Sequence, residues 1–216
     1  MEQAVVGSRS SVFGVRIAAL VGGAVLVAAA AQVSVPLPGT PVPMTLQPMA
    51  VLLVGGLLGA RLGALSMILY LAMGAAGLPV FTPTVPLLGV ARLFGPTGGY
   101  LLAYPIAAYA VGSLVNGRAL RGRARLGSAP LEGAPHAEPG LSARVSQPDW
   151  RNVTLGVLAG LLLIHIGGLA QLAILTGNLS AAARFGTWPF LLGDLIKIAV
   201  LVPVLAKLTP SIRARL

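Results

Sequence analysis

The sequence of 216 residues contains no cysteine, and this absence excludes disulfide bonds, thiolate metal sites and cysteine nucleophiles. Charge is also scarce, because charged residues make up 9% of the chain, whereas soluble domains usually carry about 25%. In their place the chain has 56% hydrophobic residues and a mean hydropathy of +0.89. This composition excludes a soluble domain and predicts an all-α integral membrane protein.

Acidic residues number five, and only Asp194 lies within a predicted membrane helix. An intramembrane aspartyl protease needs two carboxylates at one site, so that class is excluded. Lys197 follows Asp194 at i+3, which places both charges on one helix face. A charge at mid-membrane costs about 2.5–3.5 kcal/mol and usually faces a partner, a wet cavity or a ligand. The pair could instead only neutralise itself, but in either case we expect it to face the protein interior.

Hydrophobic runs predict one membrane domain with six transmembrane helices. We expect these helices at residues 17–33, 48–60, 62–77, 100–115, 152–176 and 188–208. The first run could instead be a signal peptide, because it follows arginines and ends in alanines. The later segments keep their alternation across the membrane if this first helix is retained. The second helix, at about 13 residues, rises about 20 Å and is shorter than the roughly 30 Å membrane core. The proline-rich segment before it is therefore expected to dip into the membrane.

The positions of the basic residues predict the orientation. Twelve of the fifteen lysines and arginines fall on the cytosolic side if both termini are cytosolic, which satisfies the positive-inside rule. Six arginines lie in residues 116–151, the only long hydrophilic stretch, which we expect to be a flexible cytosolic loop that can contact anionic membrane lipid. No aromatic residue is interleaved in the arginine cluster at 118–125 and no nucleic-acid-binding fold pattern is recognisable, so we expect no nucleic-acid partner.

Two apolar loops rich in proline and glycine, residues 32–48 and 78–99, share the predicted outer side with the Asp194 end of the last helix. Counted from Trp188, Asp194 lies about 9 Å deep and Lys197 about 4.5 Å deeper. These features predict a pocket open to the outside, with a polar floor and with the loops as apolar lids. Such a pocket suits a small ligand with an apolar body, hydrogen-bond donors and an anionic group.

Two further polar residues are candidates near this pocket. The guanidinium of Arg92 suits a ligand carboxylate, although an exposed arginine at the membrane interface is an equally open interpretation. His165 is a lone intramembrane histidine, for which we expect an interhelical hydrogen bond, with proton or ligand chemistry as the alternative.

Five short motifs give the sequence a specific resemblance. They are PMTLQ at 43–47, LLGARLG at 57–63, GLPVF at 77–81, GPTGGY at 95–100 and GDLIK at 193–197. In order and spacing they resemble the BioY family, the biotin-binding substrate (S) components of energy-coupling-factor (ECF) transporters. The resemblance implies a six-helix S component of the cytoplasmic membrane that captures biotin from outside with high affinity.

The same resemblance assigns the candidate binding residues. Asp194 and Lys197 match the binding carboxylate and lysine of the family. The remaining candidates are Thr45, Gln47, Arg92, Gly98, Gly99 and Tyr100. At residues 82–89 the chain departs from the glycine-rich G-G-x-G-G pattern of many members, so ligand contacts at Thr84 or Arg92 are not carried over directly. The glycines of GPTGGY either bring backbone close to the ligand or form a tight entry to the fourth helix.

Transport in the family usually requires a transmembrane coupling protein and two ABC-type ATPases. This sequence has no Walker A pattern, G-x-x-x-x-G-K-[ST], so only the partners would use ATP, and we expect no enzymatic activity, cofactor or metal of its own. Family members meet the coupling protein through small residues on helix 1, which here form two pairs, Ala18 with Gly22 and Ala19 with Gly23. These residues either contact the partner or pack helix 1 internally. A homo-oligomer is compatible with the sequence.

An ion- or proton-coupled carrier of another small carboxylate is the alternative function. Asp194, Lys197 and His165 would form its relay. The sequence shows no internal repeat of the kind that many such carriers have, which favours the S component.

Overall fold

Helices account for nearly all of the regular structure. The computed structural model describes residues 2–126 and 148–216, with side chains described over 13–115 and 148–216. In chain order its elements are α1 (Glu2–Gln32), β1 (Ser34–Val35), β2 (Met44–Thr45), α2 (Gln47–Leu58), α3 (Ala60–Ala75), α4 (Ala91–Phe94), α5 (Gly98–Leu126), α6 (Trp150–Thr176), α7 (Leu179–Gly186) and α8 (Leu191–Arg213). A 3₁₀ turn (Trp188–Phe190) joins α7 to α8, and β1 pairs with β2 in an antiparallel arrangement.

All six predicted helical runs coincide with helices, namely α1, α2, α3, α5, α6 and α8. Two of these helices extend more than ten residues beyond their predicted bounds, and α8 extends five residues further, to Arg213. α1 begins at Glu2 and α5 continues to Leu126, because neither polar extension contains a proline that would interrupt the hydrogen-bond ladder. α5 therefore includes the first part of residues 116–151, which the sequence predicts to be a loop. Residues 127–147 of that predicted loop lie outside the described residues.

The sequence pattern does not predict the short helix α7. Gly177 adopts a φ of +65° and ends α6, and Asn178 then caps α7. The Asn178 side-chain oxygen accepts hydrogen bonds from the backbone N–H groups of Ser180 (2.9 Å) and Ala181 (3.2 Å). This local turn chemistry inserts a separate helix between α6 and α8.

α2 is the central helix of the bundle and contacts α1, α3, α5, α6 and α8. Its close packing depends on two glycines. A Cβ on Gly55 would lie 2.5 Å from the carbonyl oxygen of Ala108, and a Cβ on Gly56 would lie 2.4 Å from a methyl carbon of Leu205. The joint between α2 and α3 also requires glycine, because Gly59 has a φ of +84°. Small residues thus let the central helix pack directly against its neighbours.

Among the described residues, four helical stretches are long and apolar enough to cross a membrane. They are Phe13–Gln32, Gly98–Val115, Trp150–Thr176 and Leu179–Arg213, the last of which combines α7 and α8. α2 and α3, with 12 and 16 residues, are apolar but shorter. Large apolar side chains such as Ile106, Leu162 and Leu195 are more than half exposed, which suits a surface that faces lipid. The chain is therefore a mostly helical, multi-pass membrane protein.

Two connections meet at one end of the bundle. We call residues 33–46 the first connection and residues 76–97 the second connection. Ser34 in the first donates a hydrogen bond to the hydroxyl of Thr84 in the second, at 3.2 Å. Thr40 in the first connection donates to the backbone carbonyl of Phe185 in α7, at 2.7 Å. Both connections and α7 are therefore tied together at this end.

At the opposite end, Arg213 of α8 caps the C-terminus of α2. Its Nε donates to the carbonyl of Leu57 at 3.1 Å, and its Nη2 donates to the carbonyl of Gly56. The last carbonyls of a helix lack intrahelical partners, and the helix dipole also favours a basic side chain there. Arg213 therefore fastens the last helix of the chain to the central one.

Replacing Arg213 with alanine would leave two carbonyls of α2 without these partners. We expect Arg213→Ala to lower the free energy of unfolding by about 1–3 kcal/mol, the usual cost of losing hydrogen bonds to a charged group. Thermal unfolding of the detergent-purified protein measures the change. Arg215→Ala is the matched control, because Arg215 lies two residues further on and is exposed. Equal unfolding temperatures for the two variants would contradict the capping role.

Candidate functional site

A cavity lies beneath the two connections and reaches into the helix bundle. It comprises about 600 Å³ of empty space, a figure that includes the space open to the outside. Both connections and α2, α4, α5, α6 and α8 contribute to its wall. The polar wall residues are Thr45, Gln47, Thr82, Arg92, Thr97, Tyr100, Tyr104, His165, Asp194 and Lys197. The apolar wall residues are Val42, Pro43, Pro48, Phe81, Leu101, Leu161, Ile164 and Phe190.

Asp194 and Lys197 form an ion pair in this wall, as their spacing predicts. Lys197 Nζ lies 2.8 Å from Asp194 Oδ1, and both residues are 7% exposed. His165 of α6 approaches the other carboxylate oxygen, with 2.6 Å between Nε2 and Oδ2. The predicted interior location of the pair and the predicted interhelical hydrogen bond of His165 are both confirmed. Each oxygen of the buried carboxylate therefore has a partner, and the contact with His165 links α6 to α8.

Arg92 lies in the wall and is 1% exposed, so the alternative of an exposed interfacial arginine is wrong. Its Nη1 donates to the carbonyl of Val85 at 2.5 Å, and its Nη2 donates to the carbonyl of Thr82 at 2.9 Å. Arg92 thereby holds the second connection over the cavity, while its buried Nε has no hydrogen-bond partner among the described residues. Burial lowers the pKa of the guanidinium from its usual value, but an arginine remains charged at neutral pH. Thr84 is exposed and does not line the cavity.

Gln47 and Thr45 take part in a series of hydrogen bonds at the N-terminus of α2. Thr45 Oγ1 donates to Gln47 Oε1 at 3.2 Å, and Gln47 Nε2 donates to the hydroxyl of Tyr70 at 2.6 Å. Tyr70 in turn donates to the carbonyl of Val80 in the second connection at 3.2 Å. The sequence pattern does not identify Tyr70, although it is the only tyrosine of α3 and is fully buried. Both predicted binding residues therefore line the cavity, and Tyr70 ties Gln47 to the second connection.

Tyr100 lines the cavity as predicted, whereas Gly98 and Gly99 do not. The Tyr100 hydroxyl donates to the carbonyl of Gly186 at 2.6 Å, so the ring joins α5 to α7. A Cβ on Gly98 would lie 1.9 Å from the carbonyl oxygen of Leu93, and a Cβ on Gly99 would lie 2.1 Å from that of Gly167. The two glycines thus form the tight entry to α5 and its contact with α6, which is the second of the two roles that the sequence predicts for them.

Two further polar wall residues are missed by the sequence analysis. Tyr104, at 3% exposure, lies one helical turn after Tyr100 and so shares its face, a spacing that could have identified it. Thr97, at 7% exposure, belongs to the GPTGGY motif, and its buried Oγ1 has no hydrogen-bond partner among the described residues. Thr97 is therefore a donor and acceptor available to a bound molecule.

The two small-residue pairs of α1 have different surroundings. Ala18 and Gly22 are exposed, and a Cβ on Gly22 would meet nothing within 4 Å. Ala19 is half-buried and Gly23 is buried, where a Cβ would lie 2.8 Å from the hydroxyl oxygen of Ser66. The first pair is free to contact another protein, and the second packs α1 against α3.

The arrangement of the wall determines what it can bind. It supplies a carboxylate, an ammonium and a guanidinium within a largely apolar surface, so it fits a molecule with hydrogen-bond donors, an anionic group and an apolar body. No cluster of three or more histidine, aspartate or glutamate side chains that could hold a metal ion occurs among the described residues.

Comparison with known proteins places the chain among related sequences. A sequence model of the BioY family matches residues 6–214. A probable biotin transporter BioY of Pyrococcus horikoshii is 34% identical over 183 residues, which cover 85% of this chain and 89% of that protein. The biotin transporter BioY of Thermotoga maritima is 31% identical over 175 residues, which cover 81% and 84% of the two chains.

The fold also has a counterpart among solved structures. It matches the crystal structure, at 2.1 Å, of the S-component for biotin from an ECF-type ABC transporter with a TM-score of 0.68. The match covers 89% of each chain at 22% sequence identity. The comparison supports the fold over the matched part of the chain.

Substituting lysine for Arg92 would remove a two-pronged contact to the second connection, because an ammonium lacks the fork geometry of a guanidinium. We expect the backbone amides of residues 82–90 to exchange hydrogen about tenfold faster or more in Arg92→Lys, since losing bonds to a charged group costs about 1.5–3 kcal/mol. Hydrogen exchange followed by mass spectrometry measures the rate.

Arg184→Lys is the control for this exchange experiment. Arg184 lies on α7 at the same end of the bundle, but it is exposed. We expect its substitution to leave exchange in residues 82–90 unchanged. The role of Arg92 in holding the second connection is wrong if Arg92→Lys behaves like this control.

Proposed function

Because this chain belongs to the BioY family, we propose that it is the S component of a biotin uptake system and not an enzyme. It binds biotin from outside the cell, in the cavity beneath the two connections. The observation that carries the proposal is the buried ion pair of Asp194 and Lys197, which supplies opposite charges at the wall of a largely apolar membrane cavity. Charges placed inside a membrane protein usually serve a substrate or an ion.

The chemistry of biotin corresponds to the chemistry of the wall. Biotin combines a cyclic urea, an apolar bicyclic body with an alkyl chain, and a carboxylate. The urea N–H groups donate to Asp194, and Lys197 donates to a ligand oxygen. With His165 neutral, Asp194 and Lys197 cancel, so Arg92 leaves the wall with one net positive charge. This balance suits a monocarboxylate.

The other predicted contacts complete the proposed site. Thr45, Gln47 and Tyr100 line the cavity and offer hydroxyl and amide groups to the ligand. Arg92 binds the carboxylate through its unpartnered Nε or by exchanging one of its carbonyl partners. The apolar wall residues pack against the ring system and the chain. Gly98 and Gly99 support α5 behind this surface.

In the proposed topology the chain crosses the cytoplasmic membrane six times, with both termini in the cytosol. α2 and α3 cross as shorter helices, and the first connection occupies the part of the membrane thickness that α2 is too short to span. This orientation puts twelve of fifteen basic residues on the cytosolic side and the cavity on the outer side. A hydrogen bond of 2.8 Å from Arg16 Nε to the carbonyl of Leu216 supports a shared side for the two ends of the chain.

Partner proteins supply the energy for uptake in this proposal. A transmembrane coupling protein and two ABC-type ATPases assemble with the chain, and ATP is used only by the ATPases. The exposed pair of Ala18 and Gly22 supports a coupling-protein contact on α1, because small residues let two helices approach closely. Ala19 and Gly23 instead serve the internal packing of α1.

The alternative of an ion- or proton-coupled carrier for another small carboxylate is less favoured. The contact between His165 and Asp194 is the observation that fits it, but the related sequences are biotin transporters. Uptake that follows a pH gradient without the ATPases would favour the carrier.

Calorimetric titration with biotin tests the substrate and the ion pair together. We expect tight binding by the parent protein and binding weaker by about 100-fold or more in Asp194→Asn and Lys197→Ala, because breaking a buried ion pair costs about 3–5 kcal/mol. Lys207→Ala, an exposed lysine on the same helix, should bind as the parent does. If the parent binds no biotin, the assignment of biotin as the substrate is wrong. If both pair variants bind biotin normally, the ion pair has only a structural role.

The proposed coupling contact predicts that assembly with the partner proteins can be lost while biotin binding is kept. A leucine at Gly22 fills open space on α1, so we expect Gly22→Leu to keep the biotin affinity of the parent while losing most ATP-dependent uptake. Copurification with coexpressed coupling protein and ATPases gives a second readout. Ala170→Leu on α6, another exposed small residue, is the matched control. Full assembly and uptake by Gly22→Leu would rule out this face.

A further inference from the structure

His165 stands beside the proposed ligand pair but has no role in the function described above. It lies on α6, 29 residues before its partner Asp194, and it lines the cavity. The distance of 2.6 Å between Nε2 and Oδ2 is that of a strong hydrogen bond to a carboxylate. Because Lys197 already occupies Oδ1, His165 completes the pairing of the carboxylate.

The two nitrogens of the His165 ring have different surroundings. An ionised carboxylate can only accept hydrogen bonds, and the adjacent ammonium of Lys197 favours the ionised form of Asp194. Nε2 therefore carries a proton and donates it to Oδ2. Nδ1 is fully buried and has no hydrogen-bond partner among the described residues. A second proton there would be a buried donor without an acceptor, which is costly.

The charged and titratable groups that surround the ring also favour a single proton. α8 presents Asp194 and Lys197, α5 presents Tyr100 and Tyr104, and α4 contributes Arg92 to the same wall. The tyrosines are uncharged near neutral pH. A neutral His165 leaves the wall with one net positive charge, and a doubly protonated ring would raise this to two. One positive charge matches a ligand that carries one carboxylate.

We propose that His165 is a positioning residue of the ligand site, acting as a neutral Nε2–H donor that fixes the Asp194 carboxylate opposite Lys197. With one partner on each oxygen, the carboxylate cannot rotate, and its remaining lone pairs stay available to N–H donors of the ligand. The identity of the ligand rests on the proposed function, whereas the position of the proton does not.

Two amide substitutions test the donor. The amide nitrogen of glutamine can take the place of Nε2, whereas asparagine is too short to reach Oδ2. In titrations with biotin we expect His165→Gln to bind within about threefold of the parent and His165→Asn to bind about 10- to 100-fold more weakly, the range for one hydrogen bond to a charged group.

The same comparison can overturn the proposal. Parent-like binding by both variants would mean that His165 only packs. Loss of binding in both, with unfolding temperatures of the parent, would mean that the ring itself contacts the ligand.

Nitrogen-15 NMR of the ligand-free protein tests the proton position without any ligand. The chain has two histidines, so labelling histidine alone and comparing the parent with His136→Gln assigns the His165 signals. We expect a protonated, pyrrole-like Nε2 and an unprotonated, pyridine-like Nδ1. The opposite tautomer or a doubly protonated ring would refute the assignment. If the parent binds no biotin, the proposed function fails, and the NMR result still decides this proposal.

Discussion

The carboxylate of Asp194 is the group around which the interior is arranged. Lipid and packed protein solvate an ion poorly, so this charge is stabilised by its contacts with Lys197 and His165. The lysine lies one turn away on the same helix, but the histidine belongs to α6. The electrostatic requirement of one side chain therefore keeps α6 and α8 in register, which apolar contacts between helices in lipid would not do alone.

Glycine provides the second constraint, because helices in a membrane associate chiefly through close packing. The ring of Tyr100 lies directly against Gly168, where a Cβ would be 2.1 Å from a ring carbon, and its hydroxyl reaches Gly186 of α7. The same tyrosine faces the cavity. A shape-filling contact between α5 and α6 thus also fixes one polar wall of the site.

The sequence is sufficient to predict features that depend on local residue spacing or on the free-energy cost of placing a charge in lipid. The interior ion pair follows from an i+3 spacing and the cost of a charge in lipid, and each of the six apolar runs coincides with a helix, in the same order along the chain. Features that depend on contacts between residues distant in the sequence could not be predicted from it. The partner of His165 lies 29 residues away, and Gly98 and Gly99 face α4 and α6 because of how α5 packs, which no motif states. α7 depends on an Asn178 cap that hydropathy does not register.

The contact between Arg92 and the second connection has an evolutionary consequence. The guanidinium bonds to the backbone carbonyls of Thr82 and Val85, and every amino acid carries such a carbonyl. Side chains in this segment can therefore drift without loss of the contact, provided that the backbone path is kept. The same reasoning explains how a chain with proline and threonine at 82–86 can hold this segment in place without a glycine-rich sequence there. Selection on this segment would then act on one arginine and on the backbone path, while the other residues of the segment can vary from one lineage to another.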